Sequence, residues 1–138
     1  MNPEPIQGLR LLPDFISTFQ EETIIEQILV SDWNTTLKRR TQHYGYEYSY
    51  DRKSTAKKTV DLPDWCMPVK KELEDFVNKG KGEEDEKIIF DQMIVNEYEP
   101  GQGINPHIDN TTLFKDTIVS VSLGSSAVMI FEREKEKV

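Results

Sequence analysis

His107 and Asp109 form a His-x-Asp tripeptide. In an extended backbone, residues two apart point the same way. An imidazole and a carboxylate so placed can share one metal ion and leave its other positions open. They supply two of the three donors of a two-histidine-one-carboxylate site, the arrangement used at non-haem iron. The tripeptide alone is more often a hydrogen-bonding pair in a loop than a ligand set. Asn96 and Tyr98 repeat the spacing just upstream. An amide and a phenol both donate hydrogen bonds, so the pair suits a small dicarboxylate. The plainer role is a buried polar pair closing a turn. Gly101 and Gly103 permit a tight positive-φ turn that brings the flanking strands together.

A second cluster lies further upstream. From Lys38 to Lys58, seven cations face two anions, a net +5 inside a chain of net charge −8. Four of the five tyrosines fall there, as Tyr44, Tyr46, Tyr48 and Tyr50, and alternate with smaller or charged residues. In one extended strand the four rings would share a face. Rings flanked by arginines can stack bases and hold phosphates. The same ladder can form one wall of a sheet core with its hydroxyls in solvent. Composition does not choose between these.

These residues need elements to position them. Ser17 and Gln20 have capping-box spacing, and Phe19, Ile24, Ile25, Ile28 and Leu29 recur at helical intervals. The pattern predicts a helix over Ser17–Val30, with Trp33 packed near its end. Residues 37–60 read as a hairpin or an extended loop. Pro68 starts a second helix with Val69, Leu73, Phe76 and Val77 on one face, and Gly80 stops it. The charged stretch Lys79–Lys87 reads as a mobile loop. Strands are then expected over Ile88–Tyr98, Ile104–Asp109, Thr117–Leu123 and Ala127–Phe131. Helices followed by short strands predict an α+β fold, with two helices packed on one side of an antiparallel sandwich.

Composition bounds the rest. The 138 residues leave room for one core. A hydrophobic fraction of 36% with a mean hydropathy of −0.61 fits a polar globular domain, not a disordered chain. No apolar run reaches membrane-spanning length, and the start MNPEPIQG lacks the pattern of a secretory signal. The single cysteine, Cys66, excludes an internal disulfide framework and a cysteine-built zinc cage. A cytoplasmic or nuclear protein, not a secreted one, is expected.

The run from Asp91 to Asp109, DQMIVNEYEPGQGINPHID, resembles the AlkB family of iron(II)- and 2-oxoglutarate-dependent dioxygenases. The likeness continues through Ile118–Gly124. It reaches back to Arg39-Arg40, to His43-Tyr44-Gly45-Tyr46-Glu47-Tyr48 and to Leu62-Pro63. The earlier segments look like the nucleotide-recognition lid of the branch that hydroxylates a modified wobble uridine in tRNA. The resemblance covers about Leu12 to Phe131 and implies a double-stranded β-helix, or jelly roll. It implies iron(II) held by His107 and Asp109, with 2-oxoglutarate on Asn96 and Tyr98. The lid residues Arg39, Arg40, His43, Tyr44, Tyr46 and Tyr48 would embrace a flipped or single-stranded base, with RNA (tRNA) preferred to DNA. The reaction implied decarboxylates 2-oxoglutarate to succinate and installs a hydroxyl on the substrate. The alternatives are oxidative demethylation of alkylated bases, which releases formaldehyde, and an inactive RNA-binding remnant.

The sequence departs from the family in one respect. The family places a third ligand, a histidine, well after the His-x-Asp, with arginines near it for the far carboxylate of 2-oxoglutarate. No histidine follows Asp109, and the one arginine that does, Arg133, comes too early. The strands that close the jelly roll have no counterpart either. The expectation is one AlkB-like domain over residues 1–138, incomplete at its C-terminal side, that binds iron weakly and turns over little 2-oxoglutarate. A downstream segment or a second chain would complete it.

Overall fold

Ser17 starts the first helix as its spacing predicts. Its hydroxyl accepts from the Gln20 amide at 3.1 Å, and the Gln20 side chain accepts from the Ser17 amide at 3.0 Å. Two otherwise unpaired donors are satisfied, a cap that contributes about 1 kcal/mol. Helix α1 runs over Thr18–Leu29. The computed structural model describes residues 6–48, 56–58, 60–107 and 117–132, without the side chains of 47, 48 and 56–58. Asp109, Tyr50, Arg52, Lys53 and Arg133 therefore lie outside what is described.

A single 3-10 turn at Asp64–Cys66 leads into α2, Met67–Val77, with Pro68 in its first turn, where its missing N–H costs nothing. Gly80 follows with φ +85. The Gln20 side-chain Nε2 donates to Glu72 Oε1 at 3.1 Å and ties α1 to α2. Ile24, Cys66 and Val69 are buried between these elements. Phe15 packs edge-on against Phe76 with ring centroids 5.7 Å apart, and Tyr44 packs the same way on Trp65 at 6.1 Å. Burial pushes the Cys66 thiol above its ordinary pKa, so the thiol is a packing group and not a nucleophile.

The expected hairpin is present. Strand β1, Thr41–Tyr48, pairs antiparallel with β2, Ala56–Lys58, and with β3, Gln92–Asn96, in the order β2-β1-β3. The first half of β1 faces β3, in register Thr41↔Asn96 to Gly45↔Gln92. The second half faces β2, in register Tyr46↔Lys58 to Tyr48↔Ala56. The handover falls at Gly45, whose φ is +81. A Cβ there would lie 3.0 Å from the Asp91 carbonyl carbon and 3.1 Å from Gln92 Cα, and closer still to the Asp91 oxygen. Only glycine tolerates that approach and that φ together.

Two polar residues at the start of β1, Thr41 and Gln42, are buried. Gln42 donates to the Ile28 carbonyl at the end of α1 at 2.9 Å and accepts from the Tyr44 hydroxyl at 2.7 Å. The buried amide is thus satisfied at both ends, and it fixes β1 against α1. Ahead of β3, the Asn78 side chain donates to the Ile88 carbonyl at 2.8 Å and accepts from its amide at 2.7 Å. It acts as one rung of a ladder and docks the incoming chain on the end of α2.

The strand expectations need correction. The run expected over Ile88–Tyr98 is a strand only at Gln92–Asn96, because β1 offers partners only there. Among the described residues, Ile104–His107 and 117–132 form no strand. Their apolar residues stay open to solvent, with Val128 at 90% and Ile130 at 78% exposure. Alternation creates strand propensity, but a strand exists only where a neighbour takes its backbone hydrogen bonds. Among the described residues no neighbour does. The two helices and the antiparallel sheet are those of the predicted α+β fold, while a jelly-roll sandwich is not assembled within the described residues.

Candidate functional site

The register of β1 against β3 decides which side chains meet. Thr41 pairs with Asn96, and one residue outward the Glu97 amide donates to the Arg40 carbonyl at 3.1 Å. The two chain segments thus stay side by side past the strands, with Arg39 and Arg40 near Asn96, Glu97 and Tyr98. Side chains alternate along each segment, and the contacts alternate with them. Arg39 donates from Nε to Asn96 Oδ1 at 3.1 Å, and its guanidinium carbon stands 5.8 Å from the centre of the Tyr98 ring. Arg40 turns to Glu97 instead, with Nε–Oε1 at 2.6 Å and Nη2–Oε2 at 2.9 Å. The Arg40 guanidinium also lies over the Trp33 ring, 4.1 Å from its centre.

The Arg40–Glu97 fork has an electrostatic consequence. The hydrogen bonds to Arg40 lower the Glu97 pKa, and those to Glu97 raise that of Arg40. Both groups are partly exposed, at 38% and 28% of their side chains, so solvent screens the pair. Its geometry contributes more than its charge: a bidentate guanidinium–carboxylate pair fixes orientation. Trp33, Arg40 and Glu97 therefore join the loop after α1, the start of β1 and the end of β3.

The glycine turn closes the same corner. Gly101 has φ +86, and the Gln102 amide donates to the Glu99 carbonyl at 2.9 Å. The Gln102 side chain accepts from the Glu99 amide at 2.9 Å and donates to the Lys38 carbonyl at 3.2 Å. His107 is exposed beyond this turn, with Nδ1 2.9 Å from the Asn105 carbonyl oxygen. A carbonyl accepts only from a protonated nitrogen, so a neutral ring in this hydrogen bond carries its proton on Nδ1, one of the two tautomers found in metal ligands. Among the described residues, no group of three His, Cys, Asp or Glu side chains could hold a metal ion.

The predicted lid divides. Arg40 is engaged inside the chain by Glu97 and Trp33. His43 Nε2 sits 3.0 Å from the Thr41 hydroxyl. Tyr44 is half-buried on Trp65 and Tyr46 is exposed, on either side of the Gly45 handover. The tyrosines therefore do not form one uniform ladder: Tyr44 serves the core and Tyr46 faces solvent. Tyr48 closes β1 opposite Ala56. Sequence reasoning gave no role to Glu97, Gln42 and Gln102 and read Trp33 only as packing near the end of the first helix. The signal for Glu97 was there, a lone carboxylate between the paired residues Asn96 and Tyr98. Finding its partner required the strand register.

The chain matches the 2OG-Fe(II) oxygenase superfamily over residues 15–138, and it belongs to that superfamily. Within it the relatives are AlkB-like. The chain is 38% identical over 130 residues to the Alkylated DNA repair protein ALKBH8 homolog of Arabidopsis thaliana, covering 93% of this chain and 37% of that protein. It is 39% identical over 142 residues to the tRNA (carboxymethyluridine(34)-5-O)-methyltransferase alkbh8 of Xenopus tropicalis, covering 96% of this chain and 21% of the relative. The Probable RNA/DNA demethylase ALKBH6 of Danio rerio is 30% identical over 126 residues, covering 88% of this chain and 49% of its own length. The chain thus spans less than half of each of these relatives. No solved structure matches it. The AlkB-like resemblance read from the motifs agrees with these relatives, those of the tRNA-modifying branch among them. Membership of the superfamily implies a jelly-roll fold, iron(II) and 2-oxoglutarate.

Proposed function

We propose that this chain carries the cosubstrate and substrate-lid part of an iron(II)- and 2-oxoglutarate-dependent oxygenase that hydroxylates a modified base in RNA, with tRNA as the preferred substrate. The observation that carries the reading is the meeting of Arg39 with Asn96 and Tyr98. It sets the root of the basic, tyrosine-bearing strand against the pair suited to a dicarboxylate. A nucleoside held by the lid would then lie beside a bound cosubstrate, which the reaction requires.

In this reading Asn96 and Tyr98 donate to a carboxylate of 2-oxoglutarate. His107, with Nδ1 committed to Asn105, offers Nε2 to the metal, and Asp109 is the second ligand. When bound, iron(II) supplies oxygen activation coupled to decarboxylation of the cosubstrate. Tyr46 offers an exposed aromatic face for a base, and the cations of the Lys38–Lys58 stretch draw in phosphates. The whole is one domain that a further segment or chain completes.

The test incubates the chain, extended through the segment that completes its iron site, with iron(II), 2-oxoglutarate and tRNA bearing a modified wobble uridine, then digests the RNA for nucleoside mass spectrometry. The expected product gains one oxygen atom on the modified base, in proportion to succinate, and the His107→Ala variant forms none. Formaldehyde in place of a stable hydroxyl would move the assignment to demethylation. RNA binding that survives His107→Ala, with no succinate from the extended chain, would leave only a binding module.

A further inference from the structure

The lid arginines do different work, and Arg39, which is half-buried, spends its guanidinium on Asn96 and Tyr98. Arginine has donors and no acceptor. A hydrogen bond between Arg39 Nε and the Asn96 side chain therefore admits only one orientation of the amide, with Oδ1 toward Arg39. Both N–H donors of that amide then face away from the guanidinium. The opposite flip would set N–H against N–H. The Arg39 guanidinium also reaches the Tyr98 ring face, within the roughly 6 Å range of a cation–π contact. One side chain thus touches both members of the pair.

We infer that Arg39 is the positioning residue of the cosubstrate pair: it holds the Asn96 amide with its donors presented to a carboxylate and braces the Tyr98 ring beside it. The inference rests on reading Asn96 and Tyr98 as the 2-oxoglutarate pair. An anionic ligand needs donors, and an unheld surface amide offers its oxygen as readily as its nitrogen. Arg39 removes that ambiguity before the ligand arrives, and its charge favours the dianion as well. The two contributions are separable, because lysine keeps the charge but not the planar fork.

The experiment titrates 2-oxoglutarate by calorimetry into the chain extended through the segment that completes its iron site, with manganese(II) in place of iron. The Asn96 side-chain amide signals are followed in nitrogen–proton correlation spectra. Arg39→Lys and Arg39→Ala are each expected to weaken 2-oxoglutarate binding about three- to tenfold. Arg39→Lys should also shift the Asn96 amide signals before any ligand is added, a change that lost charge alone would not cause. Asn96→Asp keeps a partner for Arg39 while removing both donors. It should hold the parent's thermal stability and lose 2-oxoglutarate binding. Parent-like affinity in Arg39→Lys, or unmoved Asn96 signals, overturns the positioning role and leaves the pair's assignment standing. A parent chain that does not bind 2-oxoglutarate, or an Asn96→Asp variant that binds like the parent, overturns the assignment itself.

Discussion

Replacing Gly45 with alanine tests the point on which the site geometry depends. At φ +81 an L-residue is strained by about 1–2 kcal/mol. The added Cβ would press on the Asp91 backbone, 3.0 Å from its carbonyl carbon and nearer to its oxygen. Backbone on both sides cannot swing aside as a side-chain tip would. Relief must separate β1 from the chain entering β3, and the bond from the Tyr46 amide to the Asp91 carbonyl, now 3.2 Å, is the first lost, at about 1 kcal/mol. Alanine stiffens the unfolded chain and returns about 0.4–1 kcal/mol. The net expectation is a loss of about 2 kcal/mol. Urea unfolding followed by circular dichroism measures it. Gly80→Ala is the control, since Gly80 has φ +85 but nothing within 4 Å of the point a Cβ would occupy. It carries the strain without the clash, so the difference between the variants isolates the Asp91 contact. A Gly45→Ala chain no less stable than Gly80→Ala would refute the tight handover, and with it the register that sets Arg39 on Asn96.

Two further predictions concern the buried and paired polar groups. Because Arg40 lowers the Glu97 pKa, the pair stabilises the fold above the ordinary glutamate value of 4.5, and that contribution disappears as pH falls through the lower folded value. The melting temperatures of the parent and Glu97→Gln, taken from about pH 7 to about pH 3, should therefore converge at the acid end; a constant gap would sink the linkage. Gln42→Ala strips the Tyr44 hydroxyl of its acceptor and cuts β1 from the end of α1. It should cost about 2 kcal/mol in urea unfolding, and a loss under about 0.5 kcal/mol would show that the tie is idle.

Local patterns announced local structure. The Ser17–Gln20 cap, the apolar face from Val69 to Val77 and the tyrosine-rich hairpin each depend on neighbours within a few residues, and each stands where its residues put it. The strands after Gly103 depend on partners far along the chain, and the described residues provide none. Alternation in Thr117–Leu123 and Ala127–Phe131 was legible, but pairing was not. The candidate site shows the same division. Spacing marked Asn96 and Tyr98 as one face. Only the antiparallel register revealed that Arg39 meets that face while Arg40 meets Glu97.

That division changes what the positive stretch can do. A basic lid read from composition offers all its cations to a polyanion. Here Arg40 is held by Glu97 and stacked on Trp33, and Arg39 is held by Asn96 and Tyr98, so neither guanidinium is presented like a lysine on a solvated loop. Drawing Arg40 onto a phosphate would break a bidentate bond and leave Glu97 without its partner. A phosphate offers a similar fork in return, so the exchange gains little. Releasing Arg39 would cost the Asn96 amide the bond that fixes its orientation. On the function proposed above, affinity for RNA would then come mainly from exposed rings such as Tyr46 and from the remaining cations of the stretch. What the two arginines do is tie the start of β1 to the end of β3, Arg39 through Asn96 and Tyr98 and Arg40 through Glu97.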